Sequence, residues 1–130
     1  MSKVRILVVD DDLAHAESLV DVLEGEGYEC EMAGSGGEAV SALEARTFAV
    51  VLTDLRMADL SGLEVLKHAG QLQPDAAVIL ITGHASIETA VDAMRAGALD
   101  YLPKPVKLPE LRSKVDRKST RLNSSHVRLS

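Results

Sequence analysis

Short apolar runs alternate along the chain with longer segments in which apolar positions recur every three or four residues. The runs are Arg5–Val9, Tyr28–Ala33, Phe48–Thr53, Ala77–Thr82 and Ala98–Leu102. The first, third and fourth are nearly unbroken Val, Ile and Leu, as in strands of a parallel sheet covered on both faces. The second alternates, with Tyr28, Cys30 and Met32 set against Glu29 and Glu31. This predicts an edge strand with one wet face, Cys30 being a small inward residue.

The intervening segments read as helices. Leu13–Glu24 carries Ala16, Leu19, Val20 and Leu23 on one stripe. Ser35 with Glu38, and Ser61 with Glu64, have capping-box spacing. Ser86 is a candidate N-cap for the segment beginning at Ile87, Gly97 is a natural stop, and Pro109 suits the first turn of a last helix. Gly34–Gly37, "GSGG", lacks the Gly-Lys-Ser/Thr ending of a phosphate loop and reads as a strand-to-helix turn. Five strands alternating with helices imply right-handed crossovers. The expected fold is therefore α/β, a flavodoxin-like doubly wound five-stranded parallel sheet in the order 2-1-3-4-5. Ligands in such sheets bind at the carboxyl ends of the strands, where the winding reverses between strands 1 and 3.

The polar residues concentrate at those ends. Strand 1 runs into Asp10, Asp11 and Asp12; strand 3 ends in Asp54, strand 4 in Thr82, and Lys104 follows strand 5. Carboxylates gathered in one pocket raise one another's pKa unless a cation joins them. An all-oxygen donor set suits Mg²⁺, which takes one or two carboxylates and keeps several waters. With the cation bound, one carboxylate can act as nucleophile on a phosphoryl group, the metal and Lys104 offset charge on the phosphoryl oxygens, and Thr82 can donate a hydrogen bond to one. Asp12 has an equally simple reading as a helix cap.

Bulk properties narrow the alternatives. The chain has 130 residues, enough for one domain with a real core. It is 46% hydrophobic but only 2% aromatic, so that core is aliphatic. A formal charge of −6 argues against direct nucleic-acid binding. The lone cysteine, Cys30, suits a reducing compartment. No apolar run reaches the roughly 18 residues of a membrane span, and the N-terminal run stops at Asp10, too early for a signal-peptide core. The expected location is the cytoplasm. His15 and His68 read as solvated helix residues; His84 borders the expected pocket without an assigned role.

In "ILVVDDD", "VVLTDLRM", "ITGHAS" and "GALDYLPKP", in this order, the chain resembles the receiver domain of bacterial two-component response regulators, from Val4 to about Lys114. The resemblance implies a CheY-like fold in which Asp54 is the phosphoacceptor, charged by a sensor histidine kinase. It implies that Asp10 and Asp11 are the acidic pair for Mg²⁺, that Asp11 and Asp54 ligate it directly, and that the backbone carbonyl of Arg56 completes the protein ligands. Thr82 and Tyr101 match the family's switch positions, Lys104 its conserved-type lysine, and the Lys104–Pro105 bond is typically cis. Such domains are signalling modules rather than enzymes, although they catalyse phosphoryl transfer to and from their own aspartate. The wording "ITGHASIETAVDAMRAGALDYLPKP" is most similar to receivers of NtrC-type activators, which continue into an ATPase and a DNA-binding output domain that this chain lacks. Receivers of that type often pair as homodimers through helix 4, strand 5 and helix 5.

Two departures accompany the resemblance. The loop "RMADLSG" lacks the proline common near Ala58. Residues 116–126, "DRKSTRLNSSH", resemble a translated sequencing adapter, and charge changes there: residues 1–115 hold 10 basic and 19 acidic side chains, residues 116–130 hold 4 and 1. The expectation is a receiver domain over 1–115, cut within helix 5, with a helix that frays near Lys118, a non-native or disordered tail and weakened dimerisation. Other readings are a haloacid-dehalogenase-type phosphatase using Asp10 as nucleophile and Asp12 as acid–base, which leaves Asp54 unexplained, and a docking module independent of phosphorylation.

Overall fold

The computed structural model describes residues 4–116. The expected fraying near Lys118 and the tail beyond it lie outside the described residues. The elements follow in the order β1 (Arg5–Val9), α1 (Leu13–Gly25), β2 (Glu29–Ala33), α2 (Gly36–Ala45), β3 (Val50–Asp54), α3 (Gly62–Leu72), β4 (Ala77–Thr82), α4 (Ile87–Arg95) and β5 (Asp100–Pro103). A final helix, α5, occupies residues 108–116. The strands form one parallel sheet ordered β2-β1-β3-β4-β5, as the alternating pattern requires.

Each strand divides its residues between two aliphatic layers, because successive side chains point to opposite faces. Leu7, Val9, Val51, Val78 and Leu80 face Ala39, Ala42 and Leu43 of α2, Val65, Leu66 and Ala69 of α3, and Ala93 of α4. Ile6, Val8, Val50, Leu52, Ile79, Ile81 and Leu102 face Ala16, Leu19 and Leu23 of α1 and Leu111 and Val115 of α5. The near-continuous apolar runs are explained by this double burial: every residue of β3 and β4 is buried. Register between β1 and β3 pairs Val9 with Thr53, so both strands end together and deliver Asp10 and Asp54 side by side.

The helix starts predicted from sequence are present. Ser35, Ser61 and Ser86 accept hydrogen bonds from the N–H groups of Glu38, Glu64 and Thr89. Asp12 caps α1 by accepting from the His15 N–H. Gly97 follows α4 with φ 101°, a left-handed conformation that favours glycine. The Lys104–Pro105 peptide is cis.

The edge strand departs from its predicted pattern in one place. Tyr28 and Cys30 pack partly buried against the α1/α5 layer, and burial pushes the Cys30 thiol up to about 11. Met32, expected inward, is 39% exposed. An edge strand has a neighbouring strand on one side only, so a residue near its end loses lateral cover that a central strand would supply.

Candidate functional site

The carboxyl ends of β1 and β3 bring Asp10, Asp11 and Asp54 together. One carboxylate oxygen from each lies within 4.8 Å of the others. Asp10 and Asp54 are buried and Asp11 is exposed. A cluster of hard oxygen donors with one wet edge suits a divalent cation that retains part of its hydration shell.

Lys104, just past β5, reaches into this cluster. Its Nζ lies 3.2 Å from Asp54 Oδ2 and 3.5 Å from Asp10 Oδ2. The backbone sets this reach, since the Lys104 N–H donates to the Thr82 carbonyl at 2.7 Å. One ammonium group thus serves two buried carboxylates. Their pKa values move apart. Burial pushes Asp54 up, and the neighbouring Asp10 charge adds to this, against the opposing pull of Lys104. Burial also works against ionised Asp10, but the Asp12 N–H, His15 and Lys104 together hold it below the ordinary carboxylate value. Lys104 is raised despite its burial, because both carboxylates favour its charged form.

The hydrogen bonds separate the two acids further. Asp10 accepts from the Asp12 N–H at 2.9 Å through Oδ1, while Oδ2 faces His15 Nδ1 at 2.6 Å and Lys104. An ionised carboxylate offers about four lone-pair sites, so Asp10 has little capacity left. A carboxylate only accepts, so His15 Nδ1 carries the proton in this contact. Sequence reasoning placed His15 on a solvated helix face; the structure instead turns it onto Asp10. The spacing of five residues, across a strand end and the first turn of a helix, was the available signal.

Thr82 is buried at the end of β4, the strand next to β3, and its Oγ1 accepts from the His84 N–H at 3.0 Å. Tyr101 lies on β5, where its hydroxyl meets the α4 N-terminus: it bonds Thr89 Oγ1 and lies 3.4 Å from the Ser86 N–H. The ring packs against the α2–α4 layer. Arg56 opens the β3–α3 loop two residues after Asp54, with an exposed side chain. At the far end of that loop Gly62 is pressed against β3; its N–H donates to Leu55 O at 2.8 Å, and a Cβ there would meet the Asp54 carbonyl oxygen. Asp59, between them, receives the N–H groups of Gly36 and Gly37, a contact that sequence alone gave no reason to expect. Among the described residues no helix is long and apolar enough to cross a membrane.

The family described as the response regulator receiver domain matches residues 6–116. The transcriptional regulatory protein ZraR of Escherichia coli O157:H7 is 41% identical over 114 residues, which are 88% of this chain and 26% of ZraR. The DNA-binding transcriptional regulator NtrC of Klebsiella pneumoniae is 41% identical over 110 residues, 85% of this chain and 24% of NtrC. The chain therefore spans about a quarter of the length of these relatives. A crystal structure of a response regulator protein from Burkholderia pseudomallei, with a phosphorylated aspartic acid, a calcium ion and citrate, superposes with a TM-score of 0.84 at 32% identity, covering 95% of this chain and 73% of that one.

Proposed function

Since the chain belongs to the response regulator receiver domain family, with NtrC-like relatives, we propose that Asp54 accepts a phosphoryl group from a sensor histidine kinase, with Mg²⁺ as cofactor. The observation that carries the assignment to Asp54 is the unequal treatment of the two buried acids. Asp10 is engaged by three donors, the Asp12 N–H, His15 and Lys104, whereas Asp54 faces Lys104 at 3.2 Å through one oxygen and burial raises its pKa, which keeps it the less committed of the two carboxylates and the one open to attack on phosphorus. The capping of α1 by Asp12 leaves it ill-placed as the acid–base of a phosphatase.

Asp11, Asp54 and the Arg56 carbonyl are the direct cation ligands in this reading, and Asp10 supports the seat. Held there, a divalent cation would offset charge on the phosphoryl oxygens. An Asp54 oxygen attacks phosphorus in line, the phosphorus–nitrogen bond to the donor histidine breaks, and its electron pair leaves with the imidazole. Lys104, already 3.2 Å from Asp54, transfers its ion pair to a phosphoryl oxygen. Thr82 turns its hydroxyl toward another. That movement vacates space beside β5, and Tyr101 changes its contacts with Ser86 and Thr89, altering the α4–β5 face. This is a signalling role carried out in the cytoplasm, controlling transcription through output domains on a longer polypeptide. The exposed Ile87, Val91 and Met94 on α4 support docking of a second copy on the α4–β5–α5 face.

Incubation with acetyl phosphate and Mg²⁺, followed by intact-mass measurement, tests the reading. One labile, hydroxylamine-sensitive phosphoryl group is expected on the wild-type chain and none on Asp54→Ala. Equal labelling of Asp54→Ala, or acceptor mapping to Asp10, overturns it.

A further inference from the structure

The β3–α3 loop, residues 55–61, carries both Asp54's flank and the Arg56 carbonyl, yet lacks the stiffening proline common near Ala58. Its start is tied to the sheet, the Leu55 N–H donating to Ile81 O at 3.1 Å, and its end closes on that start, the Gly62 N–H donating to Leu55 O at 2.8 Å. Between them Met57 packs against the core, and Asp59 reaches across to α2. Asp59 Oδ1 accepts from the Gly36 N–H at 3.0 Å and Oδ2 from the Gly37 N–H at 2.8 Å. These are first-turn amides of α2, which have no partner within the helix. The positive end of the helix dipole adds to the attraction for a carboxylate.

Neighbouring residues make the docking close. Gly36 is buried under Leu60, and a Cβ at Gly36 would come within 2.5 Å of the Leu60 Cβ. Thus "GSGG" allows the loop backbone to approach α2, and its free amides are filled from inside the molecule by Asp59. The N–H groups of Gly37, Leu60 and Gly36 hold the Asp59 carboxyl below its ordinary value, so the bridge is ionised at neutral pH.

We propose that Asp59 is a positioning residue of the cation site: bound across the α2 N-terminus, it holds the β3–α3 loop in the conformation that presents Asp54 and the Arg56 carbonyl together. This rests on the receiver reading of the site. The physical reason is entropic. A loop without its proline samples more backbone states, and a ligand set assembled from that loop binds more weakly by the fraction of time it is misplaced.

The test uses the full chain and its Asp59→Ala, Asp59→Asn and Ser35→Ala variants. Amide exchange is read at Gly36 and Gly37, and Mg²⁺ affinity is measured calorimetrically without any phosphodonor. Asp59→Ala should speed exchange at both amides and weaken Mg²⁺ binding about three- to tenfold, at or below the low end for outer-sphere partners of a metal. Asp59→Asn, which keeps one oxygen acceptor without the charge, should fall between Asp59→Ala and wild type. Ser35→Ala removes the α2 cap but leaves the bridge, and should bind Mg²⁺ as wild type does. Wild-type affinity in Asp59→Ala overturns the proposal. Equal weakening in Asp59→Asn and Asp59→Ala, with exchange at Gly36 and Gly37 left at the wild-type rate in Asp59→Asn, would assign the effect to charge alone, and weakening in Ser35→Ala to helix stability; either overturns positioning. A wild-type chain that binds no Mg²⁺ overturns both this proposal and the receiver reading, whereas normal wild-type binding with an indifferent Asp59→Ala overturns only the former.

Discussion

Replacing Asp54 by Asn should make the metal-free protein more stable. Asp54 is 9% exposed, and removing a carboxylate from water costs several kcal/mol even after relaxation. Its charge also faces Asp10 within 4.8 Å, a repulsion of at least about 3.5 kcal/mol at an effective dielectric near 20. The ion pair with Lys104 at 3.2 Å returns about 5 kcal/mol on the same scale. The pair is shared with Asp10, so Lys104 keeps a partner when the Asp54 charge is removed. Desolvation and repulsion outweigh the shared ion pair, and the raised pKa of Asp54 agrees in sign. The expected gain is about 1–2 kcal/mol, or about 4–10 °C in Tm for a domain of this size. Thermal unfolding followed by circular dichroism at neutral pH in EDTA measures it. The pH dependence follows from the direction of the shift. A carboxyl whose folded pKa is raised costs stability when ionised; the cost is complete above the folded pKa and disappears as pH falls below the unfolded value of 3.8. The gap between Asp54→Asn and wild type should therefore close on acidification. Mg²⁺ should close it at neutral pH too, because ligand at ten times its Kd stabilises the wild type by about 1.4 kcal/mol. A less stable Asp54→Asn in EDTA, or a gap indifferent to both pH and Mg²⁺, would refute the reasoning.

Asp11→Ala should abolish tight Mg²⁺ binding, whereas Asp12→Ala should leave it nearly intact and lower stability by about 1 kcal/mol through loss of the α1 cap; similar affinity losses on calorimetry would show the ligand assignment to be wrong. Gly62→Ala should destabilise by about 2 kcal/mol or more, since its Cβ would be driven into the Asp54 carbonyl and Leu55 backbone, and an unchanged denaturation midpoint would contradict that packing. Phosphorylation, or binding of a phosphoryl mimic, should shift amide resonances across residues 83–108 under the proposed switch, in which Thr82 moves and Tyr101 changes its contacts with Ser86 and Thr89; changes confined to the metal loops would disprove coupling. In phosphorylated material the Tyr101→Phe variant should still label at Asp54 but alter the α4 shifts, a separation that equal loss of both would contradict.

Much of this architecture is legible in the sequence. Unbroken Val/Ile/Leu runs at β1, β3 and β4 require cover on both faces, and serine caps three residues ahead of acidic residues mark where α2 and α3 begin. Those two signals are local and periodic, so they survive without knowledge of the fold. Once the sheet is doubly wound, the ends of β1 and β3 must be neighbours, and Asp10, Asp11, Asp54 and Lys104 must converge. Met32 departs from the alternation because that pattern reports which residues could be buried, not whether an edge strand has anything to bury them against. His15 is not legible in the sequence because a lone histidine on a helix carries no period; its direction depends on where the preceding strand leaves Asp10. Asp59 is set by the fold in the same way. Its partners lie more than twenty residues earlier in the chain, and only the packing of the β3–α3 loop on α2 makes the two free amides of "GSGG" and that carboxylate into a pair.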